Sequence, residues 1–93
     1  MEQAPDTLVV NPLVVMQATA SGGVLMDVAS GDCFELNQLG TEIWSRLAQS
    51  EPLSAIVGAL TESYDVSPAT LERDVGALVG DLLRHGLVTR QRR

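Results

Sequence analysis

Lysine is absent from this 93-residue chain, and cysteine, histidine, phenylalanine, tryptophan and tyrosine each occur once. Each shortage removes a class of function. The lone Cys33 has no partner for an internal disulfide and leaves no cysteine cage for structural zinc. The lone His85 leaves no histidine pair for a metal site on a helix. Cationic side chains are equally scarce: six arginines face twelve Asp and Glu, for a formal charge of -6, and Arg90, Arg92 and Arg93 fall in the last four residues. Nucleic-acid affinity rests largely on cationic contacts to phosphate, so a basic or apolar partner suits the chain better than DNA. No apolar run approaches the ~20 residues that span a bilayer, and the N-terminus lacks the basic-then-apolar layout of a secretion signal. A cytoplasmic location without membrane contact is therefore expected.

No phosphate-binding loop and no dinucleotide fingerprint is present, and Gly22-Gly23 reads as a hairpin turn. Cys33 reads as a strand residue of the core or of an interface, and His85 as a helix-end residue favoured by the dipole. A chain of this length buries about 60–70% of its unfolded surface as one domain but has little left for a deep catalytic cleft. The expectation is a protein without catalytic residues, cofactor or metal.

Along the chain, Pro5 and Asn11-Pro12 mark residues 1–12 as a flexible arm, and the basic residues 89–93 read as a tail, leaving a domain over 13–88. Leu13–Ala18 and Val24–Ala29 read as strands joined at Ser21-Gly22-Gly23, and Cys33–Leu36 as a third. A three-residue loop at 30–32 opposes Val28 to Phe34 and Met26 to Leu36, apolar to apolar, and leaves Asp27 opposite Glu35. Asn37 is the N-cap of a first helix carrying Leu39, Ile43, Trp44, Leu47 and Ala48 on one face. After Ser50-Glu51-Pro52, a second helix presents Leu53, Ile56, Val57 and Leu60. Ser67, Pro68 and Gly86 punctuate a third of about 18 residues, with Leu71, Val75, Leu78 and Leu82 along its core face and Val79 and Leu83 beside them. The fold class is α+β, a three-stranded antiparallel sheet followed by three helices in a winged helix-turn-helix-like order. Gly76 and Gly80 each cost about 1 kcal/mol relative to alanine inside that helix. They point to close packing of a neighbouring helix, or less readily to a dent for a ligand.

The run G-x-C-F-E-L-N-x-x-G-x-x-I-W at Gly31–Trp44, followed by Ile56–Val66 (IVGALTESYDV), Leu71–Val75 (LERDV) and Leu82–Val88 (LLRHGLV), resembles the PqqD-like peptide-recognition elements. These modules bind leader peptides of ribosomally made, post-translationally modified peptides, and the Ser30–Asn37 hairpin and the Ile43-Trp44 pair look most like the stand-alone lasso-peptide type. The resemblance covers about residues 13 to 88. It implies that a leader adds as an antiparallel strand beside the third strand, against the third helix, and is handed to a maturation enzyme such as a leader-removing cysteine protease. On that reading Cys33, Phe34, Glu35 and Leu36 pair with the peptide backbone, and Asp74, Val75, Leu78, Asp81 and Leu82 contact it from the helix. If Leu78 and Leu82 are core, Asp74, Ala77 and Asp81 line the groove instead. The carboxylates Asp27, Glu35, Asp74 and Asp81 are either solvated surface or a frame for cationic side chains. Rival readings are a PqqD-type chaperone presenting a precursor to a radical SAM enzyme, a winged-helix DNA-binding regulator, and a subunit that dimerises through its sheet edge.

Overall fold

The computed structural model describes residues 8–90, which fold as β1 (Leu8–Val10), β2 (Val14–Thr19), β3 (Gly22–Asp27), β4 (Cys33–Asn37), α1 (Gln38–Ala48), α2 (Leu53–Ser63), α3 (Pro68–Arg84) and β5 (Val88–Arg90). The expected α+β class and the meander β2-β3-β4 are present, with both neighbouring pairs antiparallel. Helix punctuation follows the sequence closely. The Asn37 side chain accepts from the Gly40 N–H and the Ser67 side chain from the Thr70 N–H, so both N-caps are made. At the end of α3, Gly86 is left-handed (φ 72°), its N–H donates to the Leu83 carbonyl and that of Leu87 to the Leu82 carbonyl. That pattern satisfies the helix's last carbonyls and turns Leu87 and Val88 into the core, as expected from the stop signal.

The register of the β3-β4 hairpin differs from the expectation. Leu25 lies opposite Phe34, Gly23 opposite Leu36 and Met26 opposite Cys33; Val28 is not in the strand, and Glu35 faces Val24 rather than Asp27. The reason is Asp27. Its carboxylate accepts from the Ala29 and Ser30 N–H groups, its own N–H donates to the Asp32 carbonyl, and these bonds close a longer turn over Val28–Gly31. The offset is three positions, an odd number, so the opposite set of alternate residues turns inward. Leu25 is fully buried where Met26, expected in the core, is 41% exposed.

A second correction concerns the termini. Leu8–Val10, placed by the sequence reading in a flexible arm, pairs antiparallel with Val88–Arg90, so Thr89 and Arg90 are not a tail either. Leu8 is buried in the core, the Asn11 N–H donates to the Leu87 carbonyl, and Nδ2 of Asn11 donates to the Gly86 carbonyl. Residues 1–7 of the arm and 91–93 of the tail lie outside the described residues.

One core unites these elements: Leu25 and Leu36 from the sheet, Ile43, Trp44 and Leu47 from α1, Ile56 and Leu60 from α2, Leu71, Val75, Val79 and Leu82 from α3, and Leu8, Leu87 and Val88. Gly22 lies too close to β4 to carry a side chain. A Cβ there would stand 2.1 Å from the Leu36 carbonyl oxygen, a backbone atom that no rotamer change can move. Gly76 and Gly80 differ, since a Cβ at either would meet nothing within 4 Å, so close packing of a neighbouring helix does not account for them. They border an open groove of about 520 Å³ with Leu53, Val57, Val79 and Leu83. Gly76→Ala and Gly80→Ala are therefore each expected to raise stability by about 1 kcal/mol, from helix propensity alone. Urea unfolding checks this; a lower midpoint in either variant would reveal a backbone demand that the open space does not show.

Candidate peptide-binding site

β4 occupies one end of the strand order, so one side of it is unpaired by the sheet among the described residues. Which groups face that side follows from the ladder. The bond from the Asp27 N–H to the Asp32 carbonyl makes 27 and 32 a hydrogen-bonded pair, and alternation makes 25/34 and 23/36 bonded pairs as well. The β2-β3 side agrees, because the Val28 N–H donates to the Leu13 carbonyl and so assigns the even residues of β3 to β2. Phe34 and Leu36 thus spend their backbone groups on β3. Cys33 and Glu35 turn both N–H and C=O outward, as does Asn37 its N–H. Of the four expected backbone-pairing residues, two have free edge groups, and Asn37 was missed.

Side chains alternate in the opposite sense. Phe34 and Leu36 lie on the face of the sheet that carries Leu25 and packs on the helices, and beside them a cleft of about 310 Å³ opens between β4, the first turns of α1 and α3. Phe34, Leu36, Leu39, Ile43 and Leu78 supply its apolar lining. Asp74 and Asp81 lie on its α3 side, where the i, i+4, i+7 spacing of Asp74, Leu78 and Asp81 puts all three on one helical stripe. The apolar lining has room for one or two inserted side chains.

The expected helix contacts therefore divide. Asp74, Leu78 and Asp81 line the cleft. Val75 and Leu82 are buried in the core, and Ala77 is exposed outside the cleft lining. The reading that Leu78 might be pure core does not hold, since it is only half-buried at the cleft wall. Leu39, Gly40 and Ile43 were missed as lining because their period had already placed Leu39 and Ile43 in the core stripe of α1. The available signal was the direct passage from Asn37 of β4 into Gln38 of α1, which seats the first turn of that helix at the end of the edge strand. Gly40 fits there tightly: a Cβ would come within 3.2–3.3 Å of Leu36 side-chain atoms.

Beyond Phe34 the edge continues to a second recess bordered by Asp27, Asp32, Cys33, His85 and Leu87. Here the fold brings together the single cysteine and the single histidine, although they belong to β4 and to the end of α3. His85 is the C-cap residue of α3, and its ring meets that of Phe34 edge-on at 5.5 Å between centroids. That contact ties the helix end to the edge strand and is the kind of arrangement aromatic quadrupoles favour. Cys33 is exposed, and no group of three or more His, Cys, Asp or Glu able to hold a metal is found among the described residues. No described helix is long and apolar enough to cross a membrane.

Comparison with known proteins places this arrangement. The family model described as coenzyme PQQ synthesis protein D (PqqD) matches residues 22–88. Among solved structures, TbiB1 in complex with the TbiA(beta) leader peptide superposes with a TM-score of 0.81 at 27% identity, covering 91% of this chain and 99% of that one. Lasso peptide synthetase B1 complexed with the leader peptide gives a TM-score of 0.78 at 30% identity, covering 88% of this chain and 96% of that one. No curated protein matches the chain. With the family model spanning β3 through Val88, and hence the edge strand, the cleft and all three helices, the chain belongs to the PqqD family.

Proposed function

We propose that this protein is a recognition element of the lasso-peptide type, which binds the leader segment of a ribosomally made precursor and delivers it to a maturation enzyme without performing chemistry itself. The observation that carries the reading is the pairing of an open strand edge with an apolar cleft directly beside it. An extended peptide laid antiparallel along β4 completes the outward groups of Cys33, Glu35 and Asn37, while alternate side chains enter the cleft toward Leu39, Ile43 and Leu78. The ladder contributes affinity with little sequence preference. The cleft contributes selectivity, since one buried apolar anchor is worth about 1.5–3 kcal/mol.

Two anchors, and ladder bonds at about 0.5–1.5 kcal/mol each, outweigh an ordering cost of about 2–5 kcal/mol for a flexible segment. The expected affinity is micromolar to nanomolar. Delivery to a leader-removing protease is the finer part of the proposal and is supported by the likeness to lasso synthetase B1 proteins. The rival role as a DNA-binding regulator fares poorly, because α3 carries Glu72, Asp74 and Asp81 where a reading helix offers cations to phosphate.

Fluorescence anisotropy with the labelled leader of a precursor encoded beside this chain tests the reading, with a duplex DNA of mixed sequence as the second arm at low salt. Saturable binding of the leader and none of the duplex is expected. The reverse pattern would overturn the proposal.

A further inference from the structure

The cleft is apolar at its floor but acidic at its rim, and this asymmetry bears on which peptides it accepts. Asp74 and Asp81 flank Leu78 along α3, and no arginine or histidine lines the cleft. Asp81 is engaged by Arg84, one turn along the same helix. Asp74 is exposed and has no hydrogen-bond or ion-pair partner among the described residues.

For a strand that lies along α3, spacing sets which of its side chains meet this stripe. Along a helix the rise of about 1.5 Å per residue sets Asp74 about 6 Å from the level of Leu78. Side chains on one face of a strand recur every two residues, at about 6.8 Å. A peptide that seats an apolar side chain against Leu78 therefore brings the side chain two positions away level with Asp74. A lysine or arginine there keeps its stem on the apolar wall while its head reaches the carboxylate. An aspartate or glutamate at that position would face like charge.

We infer that the site selects leader segments in which an apolar anchor is accompanied, two residues away, by a basic residue that pairs with Asp74. The inference rests on the leader-binding reading above and adds to it a ligand class, a segment with an apolar anchor and a basic residue two positions from it, with Asp74 as the residue that determines it. Exchanging the basic residue for glutamate is expected to weaken binding about fivefold at low salt, and less at high salt, as for a surface ion pair turned into a repulsion.

The test is selection of a random 15-residue phage-displayed library on the immobilised full chain, on an Asp74→Lys variant and on a Glu35→Pro variant. Circular dichroism first establishes that both variants keep the native fold. The wild type is expected to enrich peptides with an apolar anchor and a Lys or Arg two positions from it, Asp74→Lys to replace the basic residue by Asp or Glu while keeping the anchor, and Glu35→Pro to enrich neither. Apolar-anchored peptides with no charge preference, or with the same preference on Asp74→Lys, would overturn the inference while leaving the leader-binding reading standing. Failure to enrich any peptide, or enrichment of the same peptides on Glu35→Pro, would overturn both.

Discussion

Replacing Trp44 by alanine is expected to cost about 3–5 kcal/mol of stability, the largest effect of any single substitution considered, because the indole is 5% exposed in the middle of the only described core. A domain of this size has about 5–15 kcal/mol in total, so the loss removes a large share of its stability. In a thermal scan the loss corresponds to roughly 12–40 °C. The neighbouring Ile43 sharpens the point. Both residues are buried on α1, yet Ile43 reaches the cleft lining and Trp44 does not. A Trp44→Ala protein that unfolds at the wild-type midpoint but no longer binds peptide would show that the indole belongs to the recognition surface and not to the core.

Replacing Glu35 by proline is expected to abolish most peptide binding while sparing the fold. The N–H removed is one that the β3-β4 ladder does not use, since the bonded pairs are 25/34 and 23/36. Proline is accordingly tolerated there, as on other edge strands. An incoming strand loses a donor worth about 0.5–1.5 kcal/mol and meets the pyrrolidine ring in its path, so a loss of at least about tenfold is expected. Phe34→Pro is the control. It removes an N–H that β3 does need, and should destabilise the domain before any question of binding arises. Equal folding defects in the two variants would mean that the alternation around β4 has been assigned the wrong way.

Helix limits were legible in the sequence because caps are local chemistry. Asn37, Ser67-Pro68 and Gly86 each act on backbone groups within a few residues, and each does in the structure what its position implies. Strand register was not legible in the same way. Apolar matching favoured Met26 with Leu36, whereas Asp27 organises the turn through its own side chain and moves the pairing by three positions. The β1-β5 pair was missed for a different reason: Leu8–Val10 finds its partner in Val88–Arg90, at the opposite end of the chain, and no local period connects them.

For the candidate site, the edge strand was identified but its division of labour was not. Two-residue alternation assigns Cys33 and Glu35 to the open edge and Phe34 and Leu36 to the cleft only once the register is known. On α3 the same limit applies, because the period places Val75, Leu78 and Leu82 on one broad face and cannot say where the core ends and the cleft begins. The structure draws that line at Leu78.

Backbone amide hydrogen exchange, recorded with and without the bound leader of a precursor encoded beside this chain, addresses the central claim most directly. The account predicts that exchange slows at Cys33, Glu35 and Asn37, while Phe34 and Leu36, already bonded to β3, are protected in both states. Slowing at Met16 and Ala18 on the far edge of the sheet, with Cys33 and Glu35 unchanged, would contradict it.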